Sequence, residues 1–274
     1  MLGKPLIADI ESLGSMTTMS DLPPYDAEKA YAEWSRIPVD DFDYMTAEDL
    51  MILAPQQFRE LVEMTGGARF DRLGWRNEDG LLERFMLGSG VQDKTVVDFG
   101  CGLGIDACSF TMHGAQVTLA DMHPKMLLVA QYTMIAKTSF IPNRLMVISL
   151  RWPYFIIKDV DLFWSLGVLH HTPHIGKILE RMCGSLRAGG ECRIVLYSDR
   201  RWEEMMGEPV PSEPTWKHPR FDEFVKKCDT VGQYADWYNA EKIAALVEPF
   251  GELVSCEYLC RGQMVGAVIK PKVK

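Results

Sequence analysis

At 274 residues, 47% hydrophobic and 24% charged, the chain is long enough for one large α/β domain with attachments and too apolar for a disordered one. A net charge of -9 leaves no broad cationic face for phosphate neutralisation, which argues against nucleic-acid binding and for a small-molecule substrate; Arg200-Arg201 and Lys226-Lys227 are short runs that suit a solvated surface. Seven scattered cysteines fit reduced thiols better than a disulfide framework or a metal site, and no leader pattern or run of about 18 apolar residues appears, so a cytoplasmic chain without a membrane span is expected.

Residues 1–24 are rich in Gly, Ser, Thr, Met and Pro without periodicity, which predicts a flexible tail. Residues 25–92 predict a helical segment. Ala27, Ala30, Tyr31 and Trp34 fall on one helix face, Thr46-Ala47-Glu48-Asp49 resembles a capping box, and Pro55 restarts a helix before Phe58, Leu61 and Val62.

From residue 93 to residue 274 strands and helices alternate, the pattern of a mostly parallel sheet covered on both faces. Strands are predicted over 95–99, 116–120, 145–149 and 160–164. Helices are predicted over 124–136, opened by Pro124, and from Ile175 through Leu186, stopped by Gly189-Gly190. A fifth strand follows over 192–197. An inserted cap, rich in Trp and Pro, spans about 199–238. A helix over 241–250 then leads to a hairpin of strands over 253–260 and 264–269, joined by Arg261-Gly262-Gln263.

The chemistry gathers around the first strand, Thr95-Val96-Val97-Asp98-Phe99, and the turn Gly100-Cys101-Gly102-Leu103-Gly104 that follows it. Glycines there let backbone N–H groups and a helix N-terminus approach a ligand. A dinucleotide fingerprint would need glycine where Ile105 stands, which disfavours a dehydrogenase. Asp121 closes the second strand about 20 residues after the turn, where a carboxylate can take both hydroxyls of a ribose. Taken singly, Asp98 serves equally well as a turn cap and Asp121 as an ordinary strand-end acid.

Taken together, these residues resemble a known family. Val96-Val97-Asp98-Phe99-Gly100-Cys101-Gly102-Leu103-Gly104 is similar to the first motif of class I S-adenosylmethionine-dependent methyltransferases. Asp161-Leu162-Phe163-Trp164-Ser165-Leu166-Gly167-Val168-Leu169-His170-His171-Thr172-Pro173 resembles the fourth-strand motif of their type 11 group, which includes ubiquinone and menaquinone biosynthesis enzymes. Leu186-Arg187-Ala188-Gly189-Gly190 resembles that group's turn before the fifth strand. The resemblance spans roughly residues 93–197.

It implies a Rossmann-like fold with a seven-stranded, mostly parallel sheet, helices on both faces and a C-terminal antiparallel hairpin. It also implies S-adenosylmethionine as cofactor. By position, Asp98, Gly100, Cys101, Gly102 and Gly104 would line the methionine and ribose side of the donor. Asp121 would take the ribose hydroxyls, Met122 would pack on the adenine, and Ser165, Leu166 and Gly167 would lie beneath the sulfonium. The family's third-strand acid is replaced here: the chain reads Ser149-Leu150-Arg151-Trp152, so Leu150 and Arg151 stand at the adenine edge.

Methyl transfer requires alignment of an acceptor and removal of its proton. His170 and His171 follow the fourth strand on the ligand side; His170 is the preferred general-base candidate and His171 the weaker one, the alternative being that the pair only shapes the loop. Trp202, Tyr234, Trp237 and Tyr238 in the cap are candidate acceptor contacts, with a small core of the cap itself as the competing account. Arg72 and Trp75 are placed before the domain, where they would close over the donor. The expected activity is methyl transfer to an oxygen or nitrogen of a small molecule. A non-catalytic regulatory or assembly subunit with the same fold is the alternative, and a homo-oligomer is compatible with either.

Overall fold

Strands rich in Val, Ile, Leu and Phe, buried on both faces, form the centre of the molecule, whose computed structural model describes residues 25–34, 46–69, 80–148, 155–228 and 233–272. β1 (Thr95–Phe99), β2 (Gln116–Asp121), β3 (Arg144–Val147), β4 (Val160–Leu166) and β5 (Leu186–Tyr197) run parallel. β6 (Gly251–Leu259) and β7 (Met264–Pro271) form the antiparallel hairpin, and β7 also pairs antiparallel with β5. The strand order is β3-β2-β1-β4-β5-β7-β6. β1 thus has β2 on one side and β4 on the other, and the chain reverses its direction of travel across the sheet between them. Such a reversal opens a crevice at the carboxyl ends of the two central strands.

Alternation along the strands divides the core. Val97, Phe99, Phe163 and Ile194 face α7 (Ile175–Ser185) and α10 (Ala240–Val247). Val96, Leu162, Trp164 and Val195 face α4 (Leu81–Leu87), α5 (Ile105–Met112) and α6 (Pro124–Thr138). Trp164 is fully buried among them, and its indole N–H donates to the Asp106 carboxylate at 2.9 Å.

The helical segment keeps its predicted order. α1 (Ala27–Trp34) carries the expected face, and α2 (Ala47–Ile52) opens on a true capping box in which Thr46 Oγ1 accepts from the Asp49 N–H and the Asp49 carboxylate accepts from the Thr46 N–H. α3 (Pro55–Arg69) packs Phe58 and Val62 against Leu103 and Val129, which fastens this segment to the helices behind the Gly-rich turn. Residues 1–24 lie outside the described residues.

Two elements differ from expectation. α7 ends at Ser185, because Leu186 turns to extended backbone and pairs with Val160, so Gly189-Gly190 lie inside β5 and do not stop the helix. At Gly190 a Cβ would stand 2.8 Å from the Val160 carbonyl oxygen, so this glycine serves close strand approach. α4 was not predicted individually. It is held by Arg193, a buried cation of β5 whose guanidinium donates to the carbonyls of Phe85 (3.4 Å) and Met86 (2.7 Å) and pairs with Glu191. Gly88, just past α4, leaves that guanidinium its space: a Cβ there would come within 2.3 Å of it.

Arg193→Met removes charge-assisted bonds to the last carbonyls of α4, and Gly88→Ala displaces the same group. Each is expected to destabilise the fold by about 1.5–3 kcal/mol. Urea unfolding checks this, and an unchanged midpoint in both variants would show that α4 is held by its apolar face alone.

Candidate active site

The turn after β1 is pinned from below. The Ala120 carbonyl at the end of β2 accepts from the N–H groups of Gly100 (2.7 Å) and Cys101 (3.1 Å), and the Cys101 carbonyl accepts from Gly104 N–H at 2.8 Å. All three glycines have φ between +48° and +76°, the left-handed region. Their side-chain directions meet different things. A Cβ on Gly100 would be 2.4 Å from Val168 Cγ2, and one on Gly104 would be 3.0 Å from Ala130 on α6. A Cβ on Gly102 would meet nothing within 4 Å, and the same holds for Gly167 after β4. Gly100 and Gly104 therefore serve packing, whereas Gly102 and Gly167 border open space.

Asp121 closes β2 beside this space. Its carboxylate accepts from Gly102 N–H at 3.1 Å and from His123 N–H at 3.0 Å. Surrounding protein desolvates it and raises its pKa, partly offset by those two bonds. Met122 follows, half-buried. Asp98 is buried within β1, and burial pushes the Cys101 thiol far up, so Cys101 is an inert part of the turn. On β4, Ser165 is buried and donates to the Phe99 carbonyl at 2.9 Å, tying the ends of the two central strands together. Leu166 and Gly167 lead into the loop whose Val168 covers Gly100. Leu150 and Arg151 lie outside the described residues, as do Arg72 and Trp75.

The histidines occupy a short 3-10 turn, Leu169–His171, and their hydrogen bonds fix their tautomers. His170 is fully buried, and its Nδ1 accepts from the Tyr197 N–H at 3.1 Å. Its proton must then sit on Nε2, which has no acceptor among the described residues. His170 is a donor in this state, with no ring lone pair for a base, and burial pushes its pKa well down. His171 is the reverse. Its Nδ1–H donates to the Tyr234 carbonyl at 3.1 Å, which makes Nε2 the acceptor nitrogen. Burial holds its pKa at about 4, so the ring is neutral at neutral pH. The order of base candidates is therefore the opposite of the sequence expectation.

The cap places its aromatic residues inward. Trp202 is fully buried on α8 (Asp199–Met206), its indole N–H donating to the Pro209 carbonyl, and it packs with Phe224 of α9 (Phe221–Cys228) and with Trp237. Tyr238 belongs to the sheet core beside α10. Trp202 and Trp237 thus belong to the cap's own core and Tyr238 to the sheet core, the arrangement of the competing account. Tyr234 comes to the site through its carbonyl on His171, while its hydroxyl bonds Asp236. Asp236 in turn donates its N–H to the His170 carbonyl at 3.0 Å, so the cap and the histidine turn are fastened together.

Contacts absent from the sequence expectation come from α1. Trp34 lies 4.7 Å from His171, Tyr31 stacks on His123 at 5.6 Å, and the nearby Tyr25 meets His174 edge-on at 5.9 Å. α1 therefore spans from the Asp121 end of the crevice to the histidine turn. Its aromatic face was visible in the sequence, but nothing there said which loop it would cover.

Residues 97–194 match the family of methyltransferase domains designated type 11. Over those residues the sheet domain is similar to the class I methyltransferase domains of that group. Over 105 residues the chain is 28% identical to a ubiquinone biosynthesis O-methyltransferase of Nitrosomonas europaea; the match covers 37% of this chain and 43% of that protein, less than half of the relative's length. Two solved structures share the fold. A protein of Pyrococcus horikoshii aligns with TM-score 0.54 at 16% identity over 72% of this chain and 91% of its own. The N-methyltransferase NodS of Bradyrhizobium japonicum, solved with S-adenosylhomocysteine, aligns with TM-score 0.51 at 14% identity over 75% of this chain and 91% of its own.

The residues present fit the methyltransferase cofactor, S-adenosylmethionine. The open side of Gly102 and Gly167 gives a cradle that a Cβ would fill, and the Asp121 carboxylate beside it suits a ribose diol. Among the described residues no helix is long and apolar enough to cross a membrane.

Gly100→Ala is expected to push Val168 and its loop out of place and to weaken S-adenosylhomocysteine binding by at least about tenfold, equivalent to 1.4 kcal/mol. In Gly100→Ala/Val168→Ala the clash is relieved and part of the affinity returns. Calorimetric titration of the single and double variants checks this coupling; strictly additive losses would mean that the contact does not shape the site.

Proposed function

We propose that this protein transfers the methyl group of S-adenosylmethionine to an oxygen or nitrogen nucleophile of a small molecule. The observation that carries the proposal is the Asp121 carboxylate bonded to the Gly102 N–H beside the open side of the turn, which the loop ending in His171 meets through Val168 at Gly100. When bound, the donor supplies a methyl group already activated by its sulfonium. The protein's residues then have three tasks, which are to hold the adenosyl part, to align the acceptor and to receive its proton.

Asp121 and the turn N–H groups would hold the adenosyl part. Alignment falls to the loop from Gly167 to His171, kept rigid by Val168 against Gly100 and by the His170 imidazole on the Tyr197 N–H. His171 Nε2 would take the proton, because its partner nitrogen is committed to the Tyr234 carbonyl. With its pKa near 4 the imidazole is ready to accept a proton throughout the neutral range. It is also a weak base, which suits an acceptor whose proton becomes acidic only as the new bond forms. α1, with Trp34 on His171 and Tyr31 on His123, would keep water from the crevice. The alignment with an O-methyltransferase supports an oxygen acceptor over a nitrogen one.

Asp121→Ala is expected to weaken S-adenosylhomocysteine binding about 10- to 100-fold, the loss of hydrogen bonds to a charged group. Calorimetry on the full chain is the test of the reading: if the unaltered protein binds neither S-adenosylmethionine nor its demethylated product, the proposal fails. Binding without turnover against a broad panel of phenols, amines and carboxylates would favour the regulatory alternative.

His171→Ala is expected to lower kcat about 10²- to 10⁴-fold with donor affinity kept. The pH profile carries the sign: His171 is neutral above about 4, so its ionisation should leave kcat level through the neutral range and reduce it only as the pH falls toward that value. A limb with a midpoint near the ordinary histidine value would assign the base elsewhere.

A further inference from the structure

Beside the histidine turn stands a cation with no anionic partner among the described residues. Arg201, in the first turn of α8, is half-buried, and its guanidinium lies over the Tyr197 ring at 4.1 Å. The His170 imidazole is stacked on the same ring at 3.6 Å and 24°, which fills that face, so the guanidinium takes the opposite one. His171 touches His170 at 4.2 Å and Trp34 at 4.7 Å. Arg201, Tyr197, His170, His171 and Trp34 thus form a continuous chain of contacts along the carboxyl edge of the sheet. Tyr197 ends β5, the strand next to β4, so Arg201 stands one strand away from the loop that would align the acceptor.

Three carboxylates of this region are already engaged, Glu204 among them, which accepts from the Gln263 amide. Asp199 accepts from the Tyr258 hydroxyl, the Asn239 amide and the Arg200 N–H. Asp236 is paired with Lys242 at 2.8 Å and bonded by Thr215. Arg201 forms no ion pair with a described carboxylate, and its Nε–H is enclosed without an acceptor among the described residues. A guanidinium confined in this way, with a hydrogen-bond donor desolvated and unused, is costly to keep unless something else supplies the anion. Cation–π contact with Tyr197 offsets part of that cost but leaves the Nε–H unsatisfied among the described residues.

We propose that Arg201 is a specificity-determining residue that binds a carboxylate on a ring-bearing acceptor. The inference rests on the methyltransferase reading above and adds the charge class of the substrate. The fork of a guanidinium matches a carboxylate in two parallel hydrogen bonds. The ring is argued from the far end of the same chain of contacts, where His171 and Trp34 lie together and Tyr197 meets His171 edge-on. The charge also bears on the base. The positive charge of Arg201 is one of the influences that depress His171, and a carboxylate seated on it cancels that influence, so the acceptor itself strengthens the base that receives its proton.

The test uses the full chain saturated with S-adenosylhomocysteine. Benzoate, 4-hydroxybenzoate and phenylacetate are titrated calorimetrically, each against its own amide. At least one carboxylate is expected to bind about tenfold or more tightly than its amide, the range for a charge-assisted pair. Arg201→Gln should abolish that preference, and Arg201→Lys should keep part of it, with S-adenosylhomocysteine affinity preserved in both variants as proof of folding. The inference is overturned if none of the carboxylates is preferred, if the preference survives Arg201→Gln, or if Arg201→Gln weakens the nucleoside as much as the carboxylate, which would assign the guanidinium to the donor's own carboxylate. Failure of S-adenosylhomocysteine to bind the unaltered protein is a separate outcome and sinks the methyltransferase reading itself.

Discussion

Val168 occupies the space that a side chain at Gly100 would need, and the rest of the site depends on that contact. It presses the loop after β4 onto the turn after β1, where the strand order reverses between the two central parallel strands. Ser165 reinforces the junction from within by donating to the Phe99 carbonyl. With these two loops locked together, Gly102 and Gly167 are left as the open borders of a crevice, and Asp121 is held beside it by the turn's own backbone. Rigid interiors transmit small steric changes, so one methyl group at Gly100 acts on residues several positions away along both loops.

The same junction explains why the sequence was informative where it was. Three glycines after an apolar strand, an acid at the end of the next strand and a Leu-His-His segment are local patterns, and each maps onto an element whose place in a parallel sheet is constrained by connection rules. β1 starts and ends at the predicted residues, and β2 and β3 differ only at their ends. α7 was overextended because Leu186 continues the apolar helical periodicity, and only its pairing with Val160 shows that the backbone has already become extended. α4 is too short to carry a strong period, and what holds it is a cation more than a hundred residues away.

The aromatic residues of the cap show a different limit. Trp202 and Trp237 are the kind of side chain expected both in a ligand pocket and in a small core, and composition cannot separate the two. The structure does, because Trp202, Phe224 and Trp237 are the largest side chains of one cluster with Met206, Val225 and Ala235, the apolar centre of this segment. What the cap contributes to chemistry is instead its backbone. The Tyr234 carbonyl and the Asp236 N–H hold His171 and His170 from one short stretch, a kind of role that no side-chain pattern in a sequence announces.

The backbone groups that meet the two rings, the Tyr197 N–H and the Tyr234 carbonyl, also decide what each histidine is able to do. Two adjacent imidazoles with the same intrinsic chemistry receive opposite assignments, since one Nδ1 faces an N–H donor and the other a carbonyl. The first ring becomes a fixed proton donor and the second a fixed acceptor, and burial keeps both uncharged near neutrality. Under the methyltransferase reading this division is useful. A cation at the His170 position would repel the sulfonium that the crevice has to receive, whereas two neutral rings leave the positive charge of Arg201 on the Tyr197 ring. The Tyr197 ring, with the Arg201 guanidinium at 4.1 Å and the His170 imidazole at 3.6 Å, keeps that charge apart from the neutral pair of imidazoles.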